Sequence, residues 1–165
     1  MSERYLPPSD FLQAIIDDTV PFGDHDFGEA NLMRLMAMTC DPDPANRDWA
    51  TMLLSQLELD RPDVRETLIG ATSDKEAAVR AEALLGIAML DRALALPLVK
   101  RELAGDVVTM PLLEAAILVA DTSLADDLAA FSAPSSDPML DRLVNEAIEA
   151  CRSGPIGHGN IPQAR

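Results

Sequence analysis

Two charge pairs are the first candidates for chemistry. Asp41 and Arg47 stand six positions apart, and Asp74 and Arg80 repeat that spacing 33 residues later. A carboxylate beside a guanidinium could serve as an acid–base site. A catalytic site has no reason to recur at a fixed period, so the pairs read as a structural ladder. In that ladder each Arg donates to a neighbouring unit's turn Asp or to backbone carbonyls. The nearest thing to a metal cluster is Asp24-His25-Asp26 with Glu29. The ligand types are valid, but alternate residues of an extended loop point apart, and the other histidine, His158, is far off in the tail. This stretch is expected to be a solvated acidic loop. Cys40 and Cys151 have no metal or disulfide spacing and read as free thiols. No Gly-rich phosphate loop and no G-x-S-x-G motif is present, and Ser135-Ser136 needs no chemistry.

The elements that position these residues are helical and repeated. The stretch Thr72–Leu90 opens on a Ser73-Asp74 turn signal, where a short side chain can cap a helix start. It then runs apolar at helical spacing through Val79, Ala83, Ile87 and Leu90, widened by Leu84, Leu85 and Met89. So little of it is polar that neighbours must cover most of its sides. A copy lies 33 residues earlier: Thr39, Asp41, Ala45, Arg47, Ala50 and Leu57 fall on Thr72, Asp74, Ala78, Arg80, Ala83 and Leu90. A period in that range marks a solenoid, whose units bury apolar faces against one another. A third unit around Ala116 lacks the Arg, and a fourth after Asp137-Pro138 restores an Arg at Arg142.

The pattern resembles the HEAT repeat family, including the bacterial HEAT-like repeats first noted in phycobilisome lyases. The resemblance rests on the turn Asp (Asp41, Asp74), the Arg six on (Arg47, Arg80) and the Ala three further (Ala50, Ala83), and it covers roughly 28–152. It implies an all-α fold: an α-solenoid of about four HEAT-like helical hairpins with an N-terminal capping helix. It also implies that turn Asp and Arg bind across neighbouring repeats, and that the second helices line a concave face.

Trp49 is the most informative single residue. Its repeat mate is Glu82, expected to be exposed because an unpaired buried carboxylate is costly. Trp49 then points to the exposed strip of the inner helix, and exposed Trp is enriched in binding hot spots. The alternative is that the N-terminal cap covers Trp49 through Phe22 or Phe27. The concave strip is expected to hold Asp48, Trp49, Thr51, Gln56, Ala81, Glu82, Glu114 and Glu146, an acidic surface whose default reading is a solvated face.

Composition sets bounds. The chain has 165 residues, 48% hydrophobic but only 4% aromatic, which suits Ala-, Leu- and Met-packed helices in one domain. A net charge of -15 repels phosphate backbones and anionic membranes. With no apolar run long enough to span a bilayer and no secretory signal, a cytoplasmic protein is expected.

In chain order, residues 1–27 are expected to form a lead and a capping helix, Phe11 to about Thr19, followed by a loop over Val20–Gly28. Residues 28–152 hold the repeats, with helices at about Glu29 onward, Arg47–Glu58, Pro62–Ala71, Ala77–Leu90, Arg92–Leu103, Val108–Val119, a short Ser123-capped helix to Phe131, and Met139–Arg152. Pro97 is expected to kink or split its helix. Residues 153–165 read as a flexible tail, leaving Leu143 and Ile148 poorly covered at that end.

The expected function is a non-catalytic protein–protein interaction module, an adaptor, regulator or inhibitor, whose acidic concave strip meets a partner with a basic surface. It should be a monomer or weak dimer, with no cofactor, metal, nucleic acid or membrane. Two alternatives are a lyase or isomerase of the phycobilin-lyase type, by fold analogy, and a nucleic-acid-acting HEAT-like protein, which the charge opposes.

Overall fold

The computed structural model describes residues 5–154, and within them the chain is all-α. The helices are α1 (Asp10–Ile16), α2 (Asp26–Met38), α3 (Pro44–Gln56), α4 (Pro62–Ala71), α5 (Ala77–Leu90), α6 (Arg92–Leu103), α7 (Met110–Val119), α8 (Ala125–Ala129) and α9 (Pro138–Ser153). A 3-10 turn, Thr122–Leu124, leads into α8. The expected tail begins one residue late, because Ser153 still closes α9; residues 155–165, and the first four of the lead, lie outside the described residues.

The helix starts follow local chemistry. Ser9, Asp43, Asp91 and Asp137 each accept from a first-turn backbone N–H, a cap that contributes about 1 kcal/mol apiece. Prolines stand in the first turns of α3, α4, α7 and α9, where a missing N–H costs nothing. The cap of the 3-10 turn is Asp121 rather than Ser123, whose own N–H is what Asp121 receives at 2.9 Å. Ser73-Asp74 lies before the helix proper: Asp74 accepts from Glu76 N, and α5 starts at Ala77. Pro97 does not split α6. It is exposed, so the carbonyl its ring leaves without a donor can be met by water, while Ala95, Val99 and Leu103 anchor the opposite side in the core.

Helix packing has a simple order. α3 lies on α5, α5 on α7, and α7 on α9, while α2 packs on α3, α4 chiefly on α5, and α6 on both α5 and α7. Small residues of α3, α5, α7 and α9 are buried in the main core, Ala50, Ala88, Ala115, Ala116 and Ala147 among them, while Ala83 packs with Val79 and with Ala71 of α4. Approach is closest at Gly86, where a Cβ would lie 2.3 Å from Ser55 Oγ on α3. Ser55 Oγ donates instead to the Glu82 carbonyl at 3.0 Å. Leucines fill the space between the layers, with Leu54, Leu68, Leu84, Leu112 and Leu113 at most 1% exposed. Each contributes roughly 1.5–3 kcal/mol by leaving water.

Both ends are covered. α1 packs on α3 with Phe11 and Leu12 buried, and Arg34 of α2 sits 4.1 Å above the Phe11 ring. At the other end the expected shortage of cover does not arise. Ile148 is 7% exposed and packs in the core, because α9 is strongly two-faced and turns Arg142, Asn145, Glu146, Glu149 and Arg152 outward.

Candidate functional site

One edge of the molecule carries the guanidinium ladder. Arg47, on α3, reaches Asp74 in the turn before α5 through two bonds, Nε to Oδ2 at 2.7 Å and Nη2 to Oδ1 at 3.1 Å. Its Nη1 donates back to the carbonyls of Asp41 and Pro42. Both side chains are nearly dry, at 7% and 12% exposure. Burial pushes the Asp74 carboxyl up, but Arg47 and the Glu76 N–H outweigh it and hold the group below the ordinary carboxylate value. Arg80 repeats the backbone half, donating to the carbonyls of Asp74 and Lys75. Its fork does not meet a turn Asp: it grips Glu102 at 2.6–3.0 Å. The third unit has Val107 where a 33-residue step from Asp74 lands, so a carboxylate from the end of α6 fills the role. Asp41, first in the series, accepts from Asp43 N and Asn46 Nδ2.

The acidic loop is used locally. His25 Nδ1 accepts from Gly28 N at 3.0 Å and caps α2, which therefore starts three residues before the expected Glu29. Gly28 lies against the preceding loop so closely that a Cβ would come 2.4 Å from Gly23 O. Glu29 pairs with both ends of the Arg61 fork at 2.7 and 2.8 Å, and Asp63 shares that guanidinium. Cys151 is buried with its Sγ 3.6 Å from Ala116 O, and burial raises its thiol pKa, which keeps it protonated and unreactive. Cys40 is exposed.

The other candidate residues lie on α3, α5 and α7. These three helices carry five charged residues in all: Arg47 and Asp48, Arg80 and Glu82, and Glu114. The ladder consumes both arginines, which leaves three carboxylates, one per helix, at near-constant spacing. Glu82 is the middle one. Contrary to expectation it is not exposed but half-buried, and among the described residues its carboxylate has no hydrogen-bond or ion-pair partner. Desolvation, with the charges of Asp48 and Glu114 on either side, raises its pKa from 4.5 to about 7. The close packing of α5 between α3 and α7 explains this: Gly86, one turn on from Glu82, lies against Ser55 of α3, and Ser55 Oγ reaches the Glu82 carbonyl, so the Glu82 stem starts from a tight helix contact.

Two strip residues do not face solvent. Thr51 is fully buried, its Oγ1 donating to the Arg47 carbonyl at 2.8 Å, a bond that lets a hydroxyl sit in the α3–α5 contact. Ala81 is 1% exposed. Gln56, Glu114 and Glu146 are exposed, and Asp48 is half-buried. Trp49 is half-buried too, but neither Phe22 nor Phe27 stacks on it. Phe27 is 78% exposed. The ring against Trp49 is Tyr5, with centroids 5.8 Å apart and planes 25° from parallel. The Tyr5 hydroxyl donates to Asp48 Oδ2 at 3.1 Å. Desolvation raises the Asp48 pKa, and the Tyr5 bond partly counters it. Sequence reasoning missed Tyr5 because the chain before Pro7-Pro8 has no periodicity to place it. It missed Glu102 because that residue lies off the 33-residue register.

Against solved structures, the chain matches an X-ray structure of the Escherichia coli protein YibA with a TM-score of 0.56 and 20% sequence identity. The match covers 86% of this chain and 54% of that one, so the chain spans about half the length of YibA. At this identity the likeness extends to the helical fold alone. No family model and no curated protein matches the chain.

Proposed function

We propose that this chain is a HEAT-like α-solenoid of about four helical hairpins, capped by α1, that works by binding a protein partner with a basic surface. The succession α3, α5, α7, α9 supports the solenoid reading: these helices stack closely while α2 and α4 stand apart around a groove of about 720 Å³. A layer that is tight on one side and open on the other curves towards the tight side, making the α3–α5–α7 surface the concave one.

The observation that carries the binding reading is Glu82. A carboxylate held half out of water between two others, with no cation among the described residues, is destabilised in the free protein. A lysine or arginine from a partner would relieve that cost, and Trp49 beside Asp48 offers an aromatic anchor. Electrostatic attraction to a chain of net charge -15 would speed encounter. The polar outer face of α9 supports a monomer or a weak dimer, and the two free thiols fit a cytoplasmic setting.

The test is capture from native lysate at low and moderate salt, with wild type, Trp49→Ala and Glu82→Arg as parallel baits. A basic protein retained by wild type and lost by both variants is the expected result. Retention unchanged in both would move the site off this face.

A further inference from the structure

The end of the strip formed by Asp48 and Trp49 is already occupied, and the occupant is the chain's own N-terminal segment. From Pro7 onward this segment is fixed. Pro7 is buried and its carbonyl accepts from Gln13 Nε2 at 2.8 Å. Ser9 N donates to Asn46 Oδ1 at 3.0 Å, and Ser9 Oγ caps α1. Ahead of Pro7 the attachment changes character. Leu6 is 44% exposed and Tyr5 is 59% exposed. Among the described residues, Tyr5 is held by its stack on Trp49 and its hydroxyl bond to Asp48.

Both contacts imitate what a basic partner would make. The phenol donates to Asp48 where a lysine or guanidinium would donate. The Tyr5 ring covers the Trp49 face on which a cation would sit. Beside this contact, and among the described residues, the Trp49 indole Nε1 is buried with no acceptor, an unpaired donor that costs free energy. A contact that is exposed, made by one side chain and burdened by an unsatisfied neighbour belongs to the least stable part of a fold.

We infer that Tyr5 and Leu6 form an autoinhibitory strap, hinged at Pro7, that must leave Trp49 and Asp48 before a basic partner can engage the whole strip. This rests on the binding reading above. The strap closes one third of the strip and leaves Glu82 and Glu114 uncovered, so encounter can begin there and displacement follow. The apparent affinity is then reduced by the fraction of molecules with the strap closed.

The chain supplies its own reporter, because it has one Tyr and one Trp. Full-length wild type, Tyr5→Phe and Tyr5→Ala would be titrated with a deca-lysine peptide while tyrosine-sensitised and directly excited Trp49 emission are read in parallel. Glu82→Gln/Glu114→Gln would be titrated as a control for the strip. In wild type the sensitised component should fall as peptide binds, because Tyr5 moves away from Trp49. Tyr5→Ala should bind roughly three- to tenfold tighter, as expected if about a tenth to a third of molecules are open. Tyr5→Phe, which keeps the ring and loses the hydroxyl, should fall between. Equal affinity of wild type and Tyr5→Ala, with binding still lost in the double control, would overturn the strap and leave the binding face intact. Weaker binding by Tyr5→Ala would also overturn it, making Tyr5 a partner contact instead of a gate. Absence of binding in every variant would overturn the binding face and the strap together.

Discussion

Replacing Glu82 by Gln isolates the most unusual ionisation in the molecule. The Glu82 carboxyl has a folded pKa of about 7 against an ordinary 4.5. Its charged form is therefore disfavoured by folding, and the sign follows. Below pH 4.5 the group is protonated whether the chain is folded or not, and it costs nothing. As the pH rises from 4.5 to 7 the unfolded chain releases the proton first, and stability falls; above 7 the loss is complete and constant. At about 1.36 kcal/mol per pKa unit the ceiling is roughly 3 kcal/mol. Glu82 keeps some contact with water, so about 1.5–2 kcal/mol is the expected size after screening. Glu82→Gln removes the charge and keeps the shape. Chemical denaturation of both proteins at pH 4, 6 and 8 should give equal stability at pH 4 and a variant about 1.5–2 kcal/mol more stable at pH 8. Taking the difference cancels the other carboxylates. Asp74 and Asp63, held below their ordinary value, act in the opposite direction as acid is approached. A difference that is flat from pH 4 to 8, or a variant less stable at pH 8, would refute the reasoning that Glu82 is desolvated and unpaired.

Other expectations follow from the same packing. Arg47→Ala should cost about 2–4 kcal/mol in thermal or urea unfolding, because it strands Asp74 in a nearly dry site, and Arg47→Lys should recover only part of this since it lacks the two-pronged fork. Arg80→Ala should cost less, roughly 1.5–3 kcal/mol, and a double-mutant cycle should couple Arg80 to Glu102 rather than to an aspartate of the third turn. Two glycines should respond oppositely to alanine under calorimetry. Gly70 faces open space on α4, so Gly70→Ala should stabilise by about 0.5–1 kcal/mol. Gly86→Ala should destabilise by about 1–3 kcal/mol through its collision with Ser55, and Ser55→Gly should partly restore it.

The helical elements were legible in the sequence where period and punctuation agreed. α4, α5 and α6 begin and end at the expected residues, because apolar spacing at 3.6 coincides there with Pro62, with the Asp74 turn and with Asp91. α1 ends earlier than expected, at Ile16, and α2 starts earlier, at Asp26, because the caps there are made by backbone and by His25, which carries no strong helix-start signal. The candidate site was legible in composition and not in exposure. Spacing placed Asp48, Glu82 and Glu114 on alternate helices, α3, α5 and α7, but the inference that Glu82 must be exposed assumed its neighbours would leave room. A run of Ala and Gly lets helices approach so closely that a charged side chain between them loses water. Thr51 was misplaced for the same reason, since a hydroxyl that can bond its own helix is tolerated in a tight contact. Tyr5 lay beyond the reach of any periodic argument: it stands ahead of Pro7-Pro8 in a segment without helical spacing, yet meets Trp49 and Asp48 of α3.

The most direct test of the proposed binding face is to map amide and indole chemical shifts during titration with deca-lysine at low and moderate salt. The account predicts that the largest changes gather on Asp48, Trp49, Glu82 and Glu114, include the Trp49 indole N–H, and keep their pattern as salt weakens them. Changes spread evenly over exposed acids elsewhere, such as Asp126 and Glu149, and erased by moderate salt, would contradict it and reduce the strip to one part of a uniformly acidic surface.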